Sequence, residues 1–292
     1  MNTIILTDSS SDLPIEYIEE NEKYIDFLGM PINMEGHEFI DDFGKTENND
    51  EFYKKLRAGI VPKTSGINFY RFYQKFKEHY DNGNAIIYLG LSSGISGTYS
   101  IAVMARDAFV EENKDADISI IDTVSASIGL GVLVVQASDK LKEGFSYQEV
   151  IKWVEENKMK VNHWFAVDDL NYLEKGGRIP SAAAKVGKVF DVKPILIVNR
   201  EGKLRPYTAI RGRKKSLRYL ANKIIQYKGD NEIELAIIGH GNCPEEAKIL
   251  KKDILEEYKP KNIMITELST TIATHVGPNM IAVAFIGEER VN

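Results

Sequence analysis

Apolar and polar positions divide the first half of the chain into short apolar segments and longer segments with helical spacing. The apolar segments predict strands at residues 3–7, 24–34, 85–89 and 118–122, with Pro31 making the second an edge or broken strand. Helices are predicted at 49–58, 67–80 and 98–113, and a largely apolar helix at 125–142. Another helix is predicted to open at Leu13-Pro14, with Asp12 as its N-cap. This alternation favours a parallel sheet covered by helices on both faces.

The second half of the chain has a different pattern, in which strands outnumber helices. Strands are predicted at 163–167, 194–198, 203–212, 232–239, 263–268 and 280–286, and helices at 213–227 and 245–258. The tetrapeptide Asn199-Arg200-Glu201-Gly202 indicates a hairpin turn. We therefore predict an α/β protein with two domains: an N-terminal α/β domain at 1–160, built on the parallel sheet, and a C-terminal α+β domain at 161–292.

Polar residues follow the predicted parallel strands, at Asp8-Ser9, at Ser92 to Ser96 and at Asp122-Thr123. Ligands of parallel sheets lie beyond the carboxyl ends of the strands. The octet from Ser92 to Tyr99 joins a strand to a helix and combines hydroxyls, two glycines and the free amides of a helix N-terminus, which favour an anionic group. An ordinary capped turn would have the same composition.

Standard catalytic motifs do not match this octet. Gly94-Ile95-Ser96-Gly97 lacks the last spacer of a nucleophile elbow, and no lysine follows it as in a phosphate-binding loop. Gly129 and Gly131 begin a dinucleotide fingerprint, but its third glycine is replaced by Val134. The octet therefore predicts a site for a carboxylate or a phosphate and no particular reaction.

Composition points to a protein of the reducing cytoplasm. The 292 residues carry a net charge of −6, and Cys243 is the single cysteine, so no disulfide within the chain is expected. Asp8 interrupts the first apolar segment too early for a signal peptide, and apolar runs of about eight residues are far too short to span a membrane.

Charge is distributed unevenly along the chain. Residues 1–51 contain 14 acidic residues, whereas residues 185–223 contain 12 Lys or Arg against Asp191 and Glu201. Such a basic block suits a nucleic acid, an anionic membrane, a docking face for another protein, or simply a solvated surface. The acidity of the whole chain argues against nucleic acid as the main ligand.

Three further groups of residues have chemistry that suits a polar ligand. Thr64 lies in a hydroxyl-rich loop, Lys63-Thr64-Ser65-Gly66. Arg178 follows two glycines, which allow close approach of the backbone, and its guanidinium can bind a carboxylate or phosphate in a bidentate manner. His275 is predicted in a rigid turn before the last strand. Each has an ordinary structural interpretation as a cap, a helix end or a packed histidine. The remaining histidines show no metal-ligand spacing and are interpreted as structural: His37, His79, His163 and His240.

Taken in order, these motifs resemble the DegV family of bacterial fatty-acid-binding proteins. The resemblance covers almost the whole chain. The matching residues are Thr7 to Pro14, Thr64-Ser65, Ser92 to Tyr99, Asp122-Thr123, Ser127, Gly129, Gly131, Asp169, Tyr172 to Ile179, Arg211 to Lys215, His275 and Gly277-Pro278. The resemblance implies an N-terminal α/β domain and a C-terminal α+β domain with a fatty acid held between them.

The resemblance also implies a carrier rather than an enzyme. Such proteins present a bound long-chain fatty acid to a separate kinase, similar to dihydroxyacetone kinases, and then carry the acyl phosphate toward phospholipid synthesis. Thr64 and Ser96 are implied to bind the carboxylate, with Arg178, Arg211 and His275 around it for phosphoryl transfer. No metal or cofactor is implied beyond the fatty acid itself. The basic block is expected to help dock the kinase or to contact an anionic membrane transiently.

Two other classes of protein stay open from the residues alone. One is a serine-dependent acyl hydrolase using Ser96 and His275, which would need an orienting acid and an oxyanion hole. The other is a phosphosugar or nucleic-acid binder that uses the basic block.

Overall fold

The computed structural model describes residues 2–184, 191–230 and 232–292. Its strands are β1 (Asn2–Asp8), β2 (Ile25–Leu28), β3 (Pro31–Met34), β4 (His37–Ile40), β5 (Lys63–Thr64), β6 (Asn84–Gly90), β7 (Ile118–Asp122), β8 (Val161–Ala166), β9 (Val192–Val198), β10 (Leu204–Arg211), β11 (Leu235–His240), β12 (Asn262–Glu267) and β13 (Ile281–Ile286). Its helices are α1 (Ile15–Glu20), α2 (Asn49–Arg57), α3 (Phe69–Asp81), α4 (Thr98–Glu112), α5 (Ile128–Lys142), α6 (Tyr147–Asn157), α7 (Asn171–Lys175), α8 (Ser181–Ala184), α9 (Arg213–Tyr227), α10 (Pro244–Glu257) and α11 (Thr270–Val276).

The first sheet is fully parallel, in the order β2-β1-β6-β7. Because side chains alternate across a strand, Tyr88 of β6 faces α3 and α4, where it packs edge-on against Phe72. Ile87, the preceding residue, faces α5 on the opposite side. The sheet is thus buried on both faces, which explains the continuous apolar segments in the sequence.

The second sheet has six strands in the order β10-β9-β8-β13-β11-β12. The pair β11 and β12 is parallel and the other pairs are antiparallel. Helices α9 and α10 pack against one face of this sheet, and α5 packs against the other. The predicted fold class, an α/β protein with an N-terminal parallel sheet and a second mixed sheet, is confirmed.

Helix α5 lies between the two sheets and contacts β1 on one side and β8, β11 and β13 on the other. Its residues from Ile128 to Val135 are all buried. A helix that is covered on every side has no polar face, so its apolar residues occupy all positions rather than one stripe. This arrangement explains why the sequence shows an apolar run there without clear amphipathic spacing.

A third, small sheet in the order β4-β3-β5 places Thr64 beside α11. Pro31 begins β3, which is consistent with the predicted interruption of the 24–34 segment. The strands of the first sheet lie within residues 2–122, and those of the second begin at residue 161. The domain boundary at residue 160 remains a prediction.

Two local predictions were wrong. Asp12 is not the N-cap of α1, because Pro14 takes that position and Asp12 adopts left-handed backbone geometry with φ 50°. The Asp12 carboxylate instead accepts hydrogen bonds from Ser127 and from the Ser269 amide. His275 does not lie in a turn, because it belongs to the last turn of α11.

Candidate functional site

A cavity of about 240 Å³ lies between the two sheets, at the start of α5. The first sheet contributes the loops after its strand ends, and the second sheet contributes side chains from β8, β9, β10 and β13. Much of the wall is apolar, including Ile101, Ile128, Phe165, Val198, Leu204 and Ala282. A cavity of this kind suits an elongated apolar group.

Four of the five predicted site residues line this cavity: Thr64, Ser96, Arg178 and His275. They come from β5, from the turn before α4, from the loop after α7 and from the end of α11. Residues separated by more than 200 positions therefore form one polar region in an otherwise largely apolar wall. The hydroxyl of Thr64 lies 2.8 Å from Nε2 of His275.

Ser96 lies at the N-terminus of α4. Its hydroxyl is 2.9 Å from the Thr98 hydroxyl and accepts a hydrogen bond from the Thr98 amide at 3.2 Å. Gly97 is the N-cap residue and contributes no side-chain cap to this helix of 15 residues. The partial positive charge of the helix N-terminus thus lies beside the cavity, where it favours an anionic group.

Arg178 brings the permanent charge to this region. Its guanidinium is partly buried and donates to the carbonyls of Ile95 and Gly176, which fixes it beside the turn that carries Ser96. Burial lowers the pKa of Arg178, although an arginine remains protonated at neutral pH. A carboxylate bound near Ser96 would therefore gain a nearby cation.

His275 is uncharged at neutral pH. Burial, and then the charge of Arg178, lowers the pKa of His275 to about 3. A neutral imidazole has one donor and one acceptor nitrogen, so His275 can exchange a hydrogen bond with Thr64 without adding charge. Gly176 is required here, because a Cβ at that position would lie 2.5 Å from Nδ1 of His275.

Buried aspartates hold α11, and with it His275, in place. The Asp12 carboxylate accepts from the Ser269 amide at 2.8 Å, and Asp41 accepts from the Thr271 amide at 3.0 Å. Both amides lie at the start of α11, where backbone N–H groups have no partner within the helix. These contacts connect the first half of the chain to the helix that carries His275.

Asp8 positions the turn that leads to Ser96. It is fully buried, and its carboxylate accepts from the Tyr88 hydroxyl at 2.8 Å and from the Leu91 amide at 3.2 Å. Ser92, also fully buried, donates to the Gly202 carbonyl at 2.9 Å and so connects this turn to the hairpin between β9 and β10. Of the polar residues predicted near a ligand at the strand ends, Asp8 and Ser92 therefore hold the turn in place, whereas Ser96 lines the cavity.

Arg211 is not part of the cavity wall in the described part of the chain. It is exposed and lines a surface depression with Arg213, Lys214, Lys215 and Arg218. Arg213 connects this depression to the loop after His275 by donating to the Asn279 carbonyl at 2.7 Å. The first part of the predicted basic block, residues 185–190, lies outside the described residues.

Sequence reasoning did not identify Thr271 or His163 as residues of the cavity wall. His163, which we interpreted as structural, lines the wall from β8. The signal in the sequence was a histidine within a buried strand that is mostly apolar, Val161-Asn162-His163-Trp164-Phe165-Ala166. The aromatic residues Phe72 and Phe76 of α3 pack in the core beside Tyr88.

The geometry does not form a hydrolase triad. The Ser96 hydroxyl contacts Thr98, whereas Nε2 of His275 contacts Thr64. Among the described residues, Nδ1 of His275 has no hydrogen-bond partner and so no orienting carboxylate. A Ser–His–acid relay requires both contacts.

The fold and this cavity define a class: an α/β protein whose two main sheets enclose a largely apolar cavity with one polar region, at Thr64, Ser96, Arg178 and His275. In the described ranges, no helix is long and apolar enough to cross a membrane, and no cluster of His, Cys, Asp and Glu could hold a metal ion.

Comparison with known proteins identifies the family. A family model described as an uncharacterised protein of the DegV family matches residues 2–288. A DegV domain-containing protein of Clostridium perfringens is 39% identical over 287 residues, covering 98% of each chain. The chain therefore belongs to the DegV family, as the resemblance implied.

Solved structures with the same fold include proteins named for the lipids they bind. A DegV lipid-binding protein of Thermotoga maritima is 28% identical, with a TM-score of 0.86 over 99% of this chain and 100% of that chain. A fatty-acid-binding DegV family protein of Streptococcus agalactiae is also 28% identical, with a TM-score of 0.85 over 99% of each chain. The fatty acid kinase B3 protein of Streptococcus pneumoniae, loaded with linoleic acid, is 18% identical and shares the fold, with a TM-score of 0.84 over 98% of this chain and 99% of that chain.

Proposed function

We propose that this protein binds one long-chain fatty acid in the cavity between its two main sheets, without covalent attachment. The single observation that supports this most strongly is the placement of Thr64, Ser96, Arg178 and His275 in the wall of one largely apolar cavity. The Thermotoga maritima and Streptococcus agalactiae relatives, named for lipid and fatty acid binding, support the same ligand class.

Tail and head group contribute differently to this binding. Burial of a sixteen-carbon tail is worth at most ~12 kcal/mol at roughly 0.8 kcal/mol per methylene, and association entropy offsets much of it. Thr64 and Ser96 bind the carboxylate and Arg178 balances its charge, because a bare buried carboxylate would be costly. The tail thus supplies affinity, and the polar residues fix the orientation.

We further propose that the protein is a carrier without catalytic activity of its own, which presents the carboxylate to a separate fatty acid kinase in the cytoplasm. One carboxylate oxygen forms a bond to the γ-phosphorus of a nucleoside triphosphate held by the kinase, and the nucleoside diphosphate leaves. The protein then carries the acyl phosphate toward phospholipid synthesis. The motif resemblance and the exposed cationic depression around Arg211, which suits an acidic kinase face or transient contact with an anionic membrane, support this step.

Ligand extraction and binding assays test the first proposal. Protein incubated with fatty acids and repurified should release about one acyl chain per protein molecule into organic solvent. Ser96→Ala should bind fatty acid about tenfold more weakly, because it loses a hydrogen bond to a charged group, whereas Ser93→Ala, on the exposed part of the same turn, should bind normally. Recovery of no acyl chain would exclude the ligand class, and an acyl ester on Ser96 would instead indicate the hydrolase.

Parallel measurement of binding and phosphorylation tests the carrier role. Arg211→Ala and His275→Ala should retain most fatty acid affinity but slow acyl phosphate formation by the kinase, since only contacts that strengthen in the transition state raise turnover. Lys114→Ala removes an exposed cation outside this depression and is the control, which should leave binding and turnover unchanged. Equal losses of binding and turnover in both variants would make these residues simple ligand contacts.

A further inference from the structure

The cavity opens to solvent at its polar end. Among the described residues of its wall, three are exposed and the others are buried or half-buried; the exposed three are Ser65, Gly66 and Gly97. A Cβ at Gly66 would lie 3.2 Å from Oγ1 of Thr98, whereas a Cβ at Gly97 would meet nothing within 4 Å. The opening therefore lies between the loop of Gly66 and the N-terminus of α4, next to Ser96.

The chain beside this opening forms an uncharged and partly aromatic surface. From Ser65 to Tyr70, every residue except Ile67 is exposed, and none is charged. Two adjacent aromatic side chains of this segment, Phe69 and Tyr70, are 39% and 68% exposed. We define the rim surface as the exposed residues around the opening: Ser65, Gly66, Asn68, Phe69, Tyr70 and Gly97.

The two aromatic residues belong to a well-fixed helix start. Asn68 caps α3 by accepting a hydrogen bond from the Arg71 amide at 2.9 Å, and the Arg71 guanidinium donates to a backbone carbonyl between β2 and β3 at 2.6 Å. The Phe69 ring stacks on Tyr73, which packs edge-on against Phe109 of α4. Aromatic residues are enriched at protein–protein interfaces, and a side chain that is already held in place loses little conformational entropy when it is covered.

Phosphorylation of a bound fatty acid has to take place at this opening. The carboxylate proposed at Thr64 and Ser96 lies just inside it, and the reacting oxygen and the γ-phosphorus must come within roughly 3.5 Å of each other. A kinase that holds the triphosphate must therefore cover the rim surface during the transfer. The lack of charge suits this partner, because the centres of protein–protein interfaces are depleted in charged residues, whereas anionic membranes attract clusters of Lys and Arg.

We propose that the rim surface is the docking site for the kinase, and that Phe69 and Tyr70 are its apolar anchors. The inference rests on the proposed carrier function and names the face of the protein that meets the partner. The kinase surface that fits this face is apolar and uncharged and surrounds the bound triphosphate. Docking in this way brings the γ-phosphorus to the opening of the cavity.

Steady-state kinetics with the purified fatty acid kinase of the same organism, palmitic acid and ATP test the docking site. Hydroxylamine traps the acyl phosphate as a hydroxamate, and the loaded protein is varied as the substrate. Tyr70→Ala and Phe69→Ala should each raise its KM about tenfold and leave kcat and the Kd for palmitic acid nearly unchanged, because they weaken docking alone. Phe145→Ala, at a phenylalanine that is 38% exposed just before α6, is the matched control.

Tyr70→Ala decides the result if Phe69→Ala fails to fold, because the Tyr70 side chain is mostly exposed. A KM for Tyr70→Ala equal to that of Phe145→Ala would show that the rim surface is not the docking site. Slower uptake of palmitic acid from phosphatidylglycerol vesicles at an unchanged KM would mean that a membrane covers this face, which also overturns the proposal. If the wild-type protein binds palmitic acid but forms no acyl phosphate with the kinase, the proposed carrier function itself fails.

Discussion

At the residue scale, Asp8, Asp12 and Asp41 show how buried carboxyl groups support the site without entering it. All three are fully buried, and burial raises the pKa of each carboxyl above its usual value. Their hydrogen bonds hold the turn before α4 and the start of α11. The sequence analysis singled out Asp8 by its place at the end of the first strand and interpreted Asp12 as a helix N-cap. It did not identify Asp41, whose carboxyl accepts hydrogen bonds from the amides of Phe43 and, 230 positions away, Thr271.

The Asp12 carboxyl gives a prediction for the pH dependence of stability. Burial raises its pKa to about 8 in the folded protein, against the hydrogen bonds from Ser127 and Ser269 that lower it. Between the unfolded value near 3.8 and about 8, the folded state binds more protons than the unfolded state, so the free energy of unfolding falls as the pH rises.

Asp12→Asn should therefore weaken this pH dependence and stabilise the protein most above pH 8, because the neutral amide has no charge to bury. Urea unfolding of both proteins between pH 5 and pH 9 measures the effect. Asp8 and Asp41 contribute in the same direction, so some dependence should remain. Parallel curves for the two proteins would show that Asp12 is not the titrating group.

At the scale of elements, the sequence correctly predicted strands and helices whose formation depends on a local pattern of residues. Strand β7 and helix α9 have the predicted bounds, and β1 and β6 differ by one or two residues at their ends. Helix α11 was missed because five of its seven residues are β-branched and favour strands: Thr270, Thr271, Ile272, Thr274 and Val276. It forms because Ser269 caps it and Asp12 and Asp41 accept hydrogen bonds from its first turns, which only the tertiary structure provides.

Helix α6 was also missed, although the sequence contains its start signal. Ser146 and Glu149 form a capping box, in which each side chain accepts a hydrogen bond from the other residue's backbone amide. Ser146→Ala should lower the free energy of unfolding by about 1 kcal/mol, the usual contribution of an N-cap.

Because α6 is not part of the cavity wall in the described part of the chain, fatty acid binding by Ser146→Ala should stay unchanged. Chemical denaturation and ligand titration of the same sample separate the two effects. Ser100→Ala, an exposed serine inside helix α4, is a control in which no cap is removed. A loss of affinity in Ser146→Ala would imply that α6 positions the cavity.

At the scale of the whole molecule, the cavity depends on how the two sheets are held around α5. Arg290, near the end of the chain, is 1% exposed and connects distant segments. Its guanidinium donates to the carbonyls of Val124, Lys158 and Asn199 and to the Ser125 hydroxyl at 3.2 Å. These groups belong to the loop before α5, the turn before β8 and the hairpin after β9, which border the layers on both sides of the cavity. No local sequence pattern indicated this role, since Arg290 lies in a short polar segment at the chain end.

Arg290→Ala should therefore destabilise the protein by roughly 3 kcal/mol, because it leaves several buried carbonyls without their donor. Arg200→Ala is the matched control. Arg200 is partly exposed, donates one hydrogen bond to the Arg290 carbonyl and pairs with Glu289. Apart from that hydrogen bond, its removal should lower the free energy of unfolding by less than about 1 kcal/mol, because an exposed ion pair contributes little. Thermal unfolding with and without fatty acid measures both effects.

Fatty acid should raise the unfolding temperature of both wild type and Arg290→Ala, but the variant should need a higher ligand concentration for the same rise. A loosened cavity binds the fatty acid more weakly, and stabilisation by a ligand depends on the ratio of its concentration to Kd. Equal stabilities of Arg290→Ala and Arg200→Ala would show that the two sheets are held around α5 by core packing alone.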